Sequence, residues 1–423
     1  MLRHRDFALV CADRFAVTLA LNISNVAIAW YIYEVTGSAF ALGYLGLAGV
    51  LPAIMLVLVT GYAADRIDRK LILVVADLVL TLTALALLWL VVAGHGVVWP
   101  IYFIVVLVST SRAFHNPAAQ AIIPALVPSD QMARAMAFAV GSAQAAMIIG
   151  PALGGLLLYG GPRLPFLVAA LLYAGSAVAA RAIRHRSDTA VKKLPVTVAS
   201  LLGGIQFAWS RPVVMGAMSF DLVVVTFGSV VVLLPIFAKD ILHVDSFWFG
   251  ILRAAPGVGA LGMGLWLANN DYVQRNAGAR LFQTVTVFGI ATLCFGLSHS
   301  LWLSLACLVA IGASDMISSV IRHTMVQSET PDDLRGRVSA VNAMFISSSS
   351  ELGQLRGGFV AGLVGAGSAV VLGGLTVVGL AWAWPRLFPE LRDRDHLIEP
   401  HPSTAALADH PAAQPAEAAH AGA

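Results

Sequence analysis

The chain has 423 residues, of which 58% are hydrophobic and only 12% charged, and its formal net charge is +3. With a mean hydropathy of +0.82 it has too little polar surface for a soluble globule and too little positive charge for a nucleic-acid partner, so it belongs in lipid. Cys11, Cys294 and Cys307 all sit in apolar runs without ligand spacing, which excludes a disulfide framework and a cysteine metal site.

Arg3 and Arg5 lead into the first apolar run, residues 15–33. It lacks a small-residue cleavage site, so it reads as a retained first span rather than a removed signal peptide. Charge-poor runs follow at 39–64, 78–94, 135–162, 222–238, 281–298 and 357–385. Crossing about 30 Å of hydrocarbon takes roughly 20 residues, so the last run holds the end of one helix and all of another. Read with their interruptions, the runs make about twelve helices. The expected fold class is an all-α membrane protein with twelve transmembrane helices in two pseudo-symmetric six-helix bundles. Continuous rather than alternating apolarity argues against a barrel.

Slid along itself by 203 residues, the separation of Gly150 and Gly353, the chain matches its own polar and turn residues. Pro128, Asp130, Arg134, Gly150, Gly154 and Gly155 fall on Pro331, Asp333, Arg337, Gly353, Gly357 and Gly358. Gly61 and Asp68 fall on Gly264 and Asp271. Duplicated membrane units are the mark of a transporter whose halves rock around a central site. The expected halves are residues 1–183 and 212–388, joined by a cytoplasmic linker at 184–211 in which 196–209 form a short surface helix. Residues 389–423 are expected to be a disordered cytoplasmic tail, with His401, His410 and His420 too widely spaced to hold a metal.

Basic residues gather on alternate loops: Arg66, Arg69 and Lys70, then Arg134, then Arg181 to Lys193, Arg275 and Arg280, Arg335 and Arg337, and Arg386 to Arg394. The loops between them hold little beyond Arg163 and Lys239. By the positive-inside bias both termini and the linker are cytoplasmic, and Trp30, Tyr31, Tyr33 and Trp99 form part of the outer aromatic belt.

Two motifs stand out. After the second span the chain reads Gly61-Tyr62-Ala63-Ala64-Asp65-Arg66-Ile67-Asp68-Arg69-Lys70, and on the fifth Gly150-Pro151-Ala152-Leu153-Gly154-Gly155. The first resembles the G-x-x-x-D-R-x-G-R-K motif of the major facilitator superfamily, with Asp68 replacing the second glycine. The second resembles that superfamily's efflux-associated G-x-x-x-G-P-x-x-G-G, with Ala146 replacing the first glycine. By resemblance Gly61, Asp65, Arg66, Asp68 and Arg69 form a cytoplasmic latch, Asp65 docking on the start of the eleventh helix near 335–338; the alternative is a basic turn that only sets topology. Gly150, Pro151, Gly154 and Gly155 are a helix-packing motif: small residues allow close approach and proline frees a carbonyl. The second copy, Gly353-Gln354-Leu355-Arg356-Gly357-Gly358, keeps the glycines, loses the proline and gains a charge. Thr36-Gly37-Ser38, the segment from Arg112-Ala113-Phe114-His115-Asn116-Pro117 to Pro128, and residues 334–342 resemble the third drug:proton antiporter family of macrolide-efflux and enterobactin-export proteins. Met136 stands where many members have asparagine.

A charge at mid-bilayer costs roughly 2.5–3.5 kcal/mol and persists only when used or paired. The spans carry Asp13, Arg14, Asp77, Arg112, Asp221, Arg253, Asp315, Glu351 and Arg356, and the 203-residue step carries Arg112 onto Asp315. Proton exchange needs a carboxylate that responds to burial and to neighbouring charge. Asp221, Asp315 and Glu351 are therefore the candidates for proton coupling or substrate contact, with Arg112 and Arg356 as cationic partners; a structural ion pair is the alternative for each. Asp13 fits either this role or an interfacial one. Asp77 fits an interfacial or structural role better, and Arg14 and Arg253 read as snorkelling to the interface.

No G-x-x-x-x-G-K-[ST] run occurs, so the energy source is a gradient, and no cofactor, metal or catalytic residue is expected. The resulting expectation is a monomeric secondary exporter of amphipathic small molecules, drug or siderophore-like, in the inner membrane, with lipid around it and protons as coupling ion. An importer or facilitator of a nutrient or lipid-like solute is the transport alternative. A non-transporting scaffold or receptor is the alternative of another class. A polytopic enzyme fits least, because no nucleophile, base and oxyanion donor can be assembled.

Overall fold

In the computed structural model the described residues are 5–94, 96–184, 198–270, 272–274, 276–331 and 334–394. The first six helices are α1 (Arg5–Thr36), α2 (Ala39–Arg66), α3 (Arg69–Ala93), α4 (Trp99–Ile122), α5 (Met132–Tyr159) and α6 (Leu164–Ala182). A short helix, α7 (Val198–Ser210), then leads into α8 (Pro212–Gly228). The span that α8 begins continues through a 3-10 turn at Val231–Leu233, one turn α9 (Leu234–Ile236) and a π-helical turn at Phe237–Ile241. After it come α10 (Ser246–Ala268), α11 (Ala277–Leu297), α12 (Leu301–Ser328), α13 (Arg335–Val364), α14 (Ala366–Leu387) and the single turn α15 (Pro389–Arg392).

Among the described residues nine spans are long and apolar enough to cross a membrane. The three other long helices, α2, α4 and α13, have 28, 24 and 30 residues, enough at about 1.5 Å per residue to cross a core of about 30 Å. α13 stands out least because Ser347 to Glu351 interrupt its apolarity.

The helix pairing repeats. α1 packs on α5 and α6, α3 on α4 and α6, and α2 on α4; α8 packs on α13 and α14, α11 on α12 and α14, and α10 on α12. Two further pairs, α2 with α13 and α5 with α10, join the two sets and are exchanged by the same relation. That pattern is what a pseudo-two-fold axis produces. Paired helices start 207, 207, 208, 202, 203 and 202 residues apart. The 203-residue step therefore describes the last three helices of each set, and a step near 208 the first three. Asp68 corresponds to Asn276, since the two occupy the N-cap positions of α3 and α11, and Asp13 corresponds to Asp221. Asp271 lies outside the described residues.

Asp68 has φ −55° and accepts a hydrogen bond from the Lys70 N–H at 3.0 Å, so the position needs a capping side chain rather than a glycine. Arg69 donates to the Ala121 carbonyl at 2.8 Å and Lys70 to the Ile183 carbonyl at 2.6 Å, which places their charges at the carbonyl ends of α4 and α6. Asp68→Ala is expected to cost about 1 kcal/mol, read as a lower unfolding temperature in detergent; an unchanged temperature would remove the cap from the account. The side chains of Gly61, Asp65 and Arg66 lie outside the described residues, and with them the latch contact proposed for Asp65.

The aromatic belt is not as the sequence suggests. Trp30 packs on Phe249 with ring centroids 5.3 Å apart, Tyr33 is 7% exposed and donates a hydrogen bond to Asp240, and Trp99 is 73% exposed. α1 packs on α5 and α6 of its own set, and its C-terminal end meets the other set. α7 packs on α8 and α13. Beyond α14 the chain stays docked: Gly278 N–H donates to the Arg394 carbonyl at 3.1 Å, and Arg394 pairs with Glu329. The remainder of the expected tail, 395–423, and linker residues 185–197 lie outside the described residues.

Candidate functional site

Between the two sets lies a cleft with about 830 Å³ of empty space, part of it open to solvent. Leu, Ile, Val and Ala make up nine of its nineteen lining residues, and Ser24, Thr83, Ser109 and Tyr173 are among the others; α1 to α4 and α6 form one side and α10, α13 and the turn after α8 the other. Into this mixed wall project Asn25 from α1, Arg112 from α4, Arg253 from α10, and Glu351 and Gln354 from α13. Gln354 donates to Glu351 Oε2 at 3.0 Å. Gly49 on α2 leaves the room that this carboxylate fills, since a Cβ there would lie 2.6 Å from Oε2. Arg112 and Arg253, one from each set, both lie within electrostatic reach of Glu351. The cleft therefore holds two guanidiniums and one carboxylate, and Arg253 lines it rather than reaching for the interface. Arg356 does not. It donates to the Phe227 carbonyl at 2.7 Å and stacks 4.6 Å over the Phe227 ring, serving a carbonyl freed where α8 breaks at Gly228 and Ser229.

Asp221 and Asp315 belong to a second group. Arg322 Nη2 on α12 lies 2.6 Å from Asp221 Oδ1 on α8 and 4.0 Å from Asp315 Oδ1. The Asp221 and Arg322 side chains are 10% and 6% exposed, and that of Asp315 is 49% exposed. Asp221 Oδ2 and Arg322 Nη1 are buried without hydrogen-bond partners among the described residues. His323 and Asn342 share with them a small opening beside the pair.

The equivalent position in the first set carries a third group. Asp13 on α1, Asp77 on α3, His115 on α4 and Ser176 on α6 meet in the interior of that set, all at most 2% exposed. His115 Nε2 lies 3.2 Å from Asp13 Oδ2 and 3.4 Å from Asp77 Oδ1; Ser176 hydrogen-bonds both carboxylates, at 3.1 Å to Asp77. In each set, then, an aspartate of the first helix faces a potential cation on the fourth.

The two sets meet at one end. Tyr33 bonds Asp240, Trp30 packs on Phe249, and Phe40 packs edge-on against Phe359 at 5.6 Å. The glycine motif and its copy do matching work there. Gly150 and Gly154 lie against Asn22, Ile23 and Val26 of α1, while Gly155 touches Gly250 of α10; Gly353 and Gly357 lie against Ser229 and Val232, while Gly358 touches Gly43 of α2. In both copies the third glycine crosses to the other set.

Residues 14–354 match the family model of the Major Facilitator Superfamily. The chain belongs to that superfamily. It is therefore a multi-pass membrane transporter and not an enzyme. Among its relatives, macrolide efflux protein A of Streptococcus pyogenes is 23% identical over 398 residues, covering 92% of this chain and 97% of the relative. The enterobactin exporter of Citrobacter koseri is 27% identical over 383 residues, covering 89% and 91%. The fold is shared with a POT family transporter crystallised with 5-aminolevulinic acid, at TM-score 0.71, 11% identity and coverage of 91% and 96%. It is shared also with the nucleoside transporter NupG, at TM-score 0.69, 13% identity and coverage of 90% and 99%.

Two charged or polar groups of this superfamily member, His115 and Arg322, escape a reading of its sequence, and a third, Arg253, is given the wrong role by it. His115 stands among apolar and small residues on α4, and its pairing with Asp13 and Asp77 needs three helices brought together. Arg322 belongs to the polar run Arg322-His323-Thr324 that reads as a helix end; the available signal is its position seven residues after Asp315, two turns along the same face. Arg253 lacks any polar neighbour in sequence.

Proposed function

We propose that the chain is a secondary exporter of amphipathic small molecules, run by inward proton movement through alternating access. Glu351 set between Arg112 and Arg253 carries the reading: one exchangeable carboxylate and two cations, drawn from both sets, sit at a cleft of mixed apolar and polar lining between rocking halves. The full-length similarity to efflux proteins supports the outward direction. Residues 1–183 and 212–388 act as the two rocking bodies in a chain that works as a monomer. With the basic loops placed inside, both termini are cytoplasmic, the Tyr33–Asp240 end is the outer seal, and Asp221, Asp315 and Arg322 line the cytoplasmic approach. Asp65 then latches that approach when it closes.

The test is gradient-driven movement of ethidium and of a catecholate siderophore into inverted vesicles, parent against Glu351→Gln and Asp315→Asn. The expected result is a loss of about tenfold or more for Glu351→Gln and a smaller loss for Asp315→Asn. Undiminished movement in both would end their assignment as coupling residues, and persistent uptake in whole cells would turn the reading towards a facilitator.

A further inference from the structure

The group formed by Asp13, Asp77, His115 and Ser176 is separate from the cleft and has no part in the mechanism so far. Its hydrogen count is informative. Ser176 brings one hydrogen and His115 Nε2 brings at most one, and each is placed between the same two carboxylates. One hydrogen cannot satisfy two acceptors at once, so the four carboxylate oxygens outnumber the donors in a site shielded from water. Asp77 Oδ1 and His115 Nδ1 are buried without a hydrogen-bond partner among the described residues. A further hydrogen on a carboxylate or on the imidazole makes the set self-consistent, and such a hydrogen is exchangeable.

The site also has a connection upwards. Arg112 precedes His115 by three residues on α4, and Tyr173 precedes Ser176 by three on α6, so each lies one turn away on the same helix face. Both line the cleft. Tyr173 is within electrostatic reach of Arg112 above and Asp77 below, and its hydroxyl lies beside that of Ser24. Of the other groups nearby, Arg14 and Cys11 lie on α1 itself. α5, which packs on α1, carries only Arg134 and Tyr159, at its two ends.

We propose that Asp13, Asp77 and His115 form a second proton-binding site, one helical turn beneath the cleft floor and reached from it past Tyr173 and Arg112. The site adds to the proton-coupled reading above and rests on it for its role in transport. A proton there is held in the interior of one half, away from the cargo, and its binding alters the charge that Arg112 meets at the cleft.

The test uses the purified full chain in lipid nanodiscs and the same chain in inverted vesicles. Infrared difference spectra across a pH titration report carboxylic acids that gain or lose a proton. The parent is expected to show a buried carboxylic signal that is absent from Asp13→Asn and Asp77→Asn and retained in Glu351→Gln. In vesicles Asp77→Asn is expected to keep ethidium exchange without a gradient and to lose about tenfold or more of gradient-driven movement. An unchanged carboxylic signal in both aspartate variants overturns the proposal, as does full gradient-driven transport by Asp77→Asn or an equimolar metal ion in the purified protein. If the asparagine variants fail to fold, Ser176→Ala keeps all three groups in place and must shift the buried carboxylic band, because the carboxyl loses the serine hydrogen bond; an unshifted band overturns the proposal. A parent that moves nothing under a pH gradient refutes the proton-coupled reading, and its infrared titration still decides the site.

Discussion

Gly155→Val is expected to abolish transport while the protein still folds in the membrane. A Cβ at Gly155 would lie 2.5 Å from the Ser246 carbonyl and 2.7 Å from Gly250 Cα, and one at Gly250 would lie 2.6 Å from the Pro151 carbonyl. These are backbone atoms, which no rotamer change can move aside. Gly150 and Gly154 pack within their own set, where a Cβ would lie 2.5 Å from Asn22 Cβ and 3.0 Å from Val26 Cβ, so substitution there damages the set itself. At Gly155 the neighbours belong to the opposite set, and the halves can part to relieve the clash. Overpacking of this kind costs about 3 kcal/mol, which shifts the balance between the joined and parted states of that end by roughly 150-fold. Gly250→Val is expected to behave alike. The measurement is gradient-driven transport together with labelling, from outside the cell, of a Ser109→Cys reporter in the cleft by an impermeant maleimide, which should react faster when Gly155→Val is also present. A Gly155→Val protein that transports at the parental rate with an unreactive reporter would show that the α5–α10 crossing is not the seal.

The glycines were legible in the sequence for the reason that makes them sensitive. A helix crossing tolerates few residue types, so both copies keep glycine at the same spacing and a slide along the chain finds them. Charged residues leave a weaker trace, because a pair needs only proximity. Asp13 and Asp221 are equivalent, yet the partner is His115 in one set and Arg322 in the other, and these do not fall 203 residues apart. The slide also put Asp68 on Asp271 because it applied one step to the whole chain. Loop lengths differ between the copies, so helices before the middle of each set follow a different step from those after it. Arg356 misleads in another way. It is charged and lies between motif glycines, but the break in α8 leaves a carbonyl within its reach, and a backbone break is not written in the residue that serves it. The apolar runs, in contrast, specify the spans directly, since lipid penalises every interruption that has no partner.

Loss of Arg322 is expected to be the most destabilising single charge removal in the second set. Its Nη2 lies 2.6 Å from Asp221 Oδ1, and the two side chains are only 6% and 10% exposed. Arg322→Met keeps the length of the side chain but leaves the Asp221 carboxylate buried opposite a thioether. Breaking a buried pair from one side costs about 3–5 kcal/mol, because the remaining charge stays desolvated. Removing both charges, as Asp221→Asn with Arg322→Met, is expected to restore most of that stability, since no ion is left to solvate. Asp315→Asn should cost less, because Asp315 Oδ1 lies 4.0 Å from the guanidinium against 2.6 Å for Asp221 Oδ1. Thermal unfolding of the single and double variants in detergent gives the double-mutant cycle. The expected coupling is large between Asp221 and Arg322 and small between Asp315 and Arg322. Equal couplings would mean that Asp315 shares the pair's charge as fully as Asp221, and the group would then be a three-membered ionic cluster rather than a close pair beside a more distant acid.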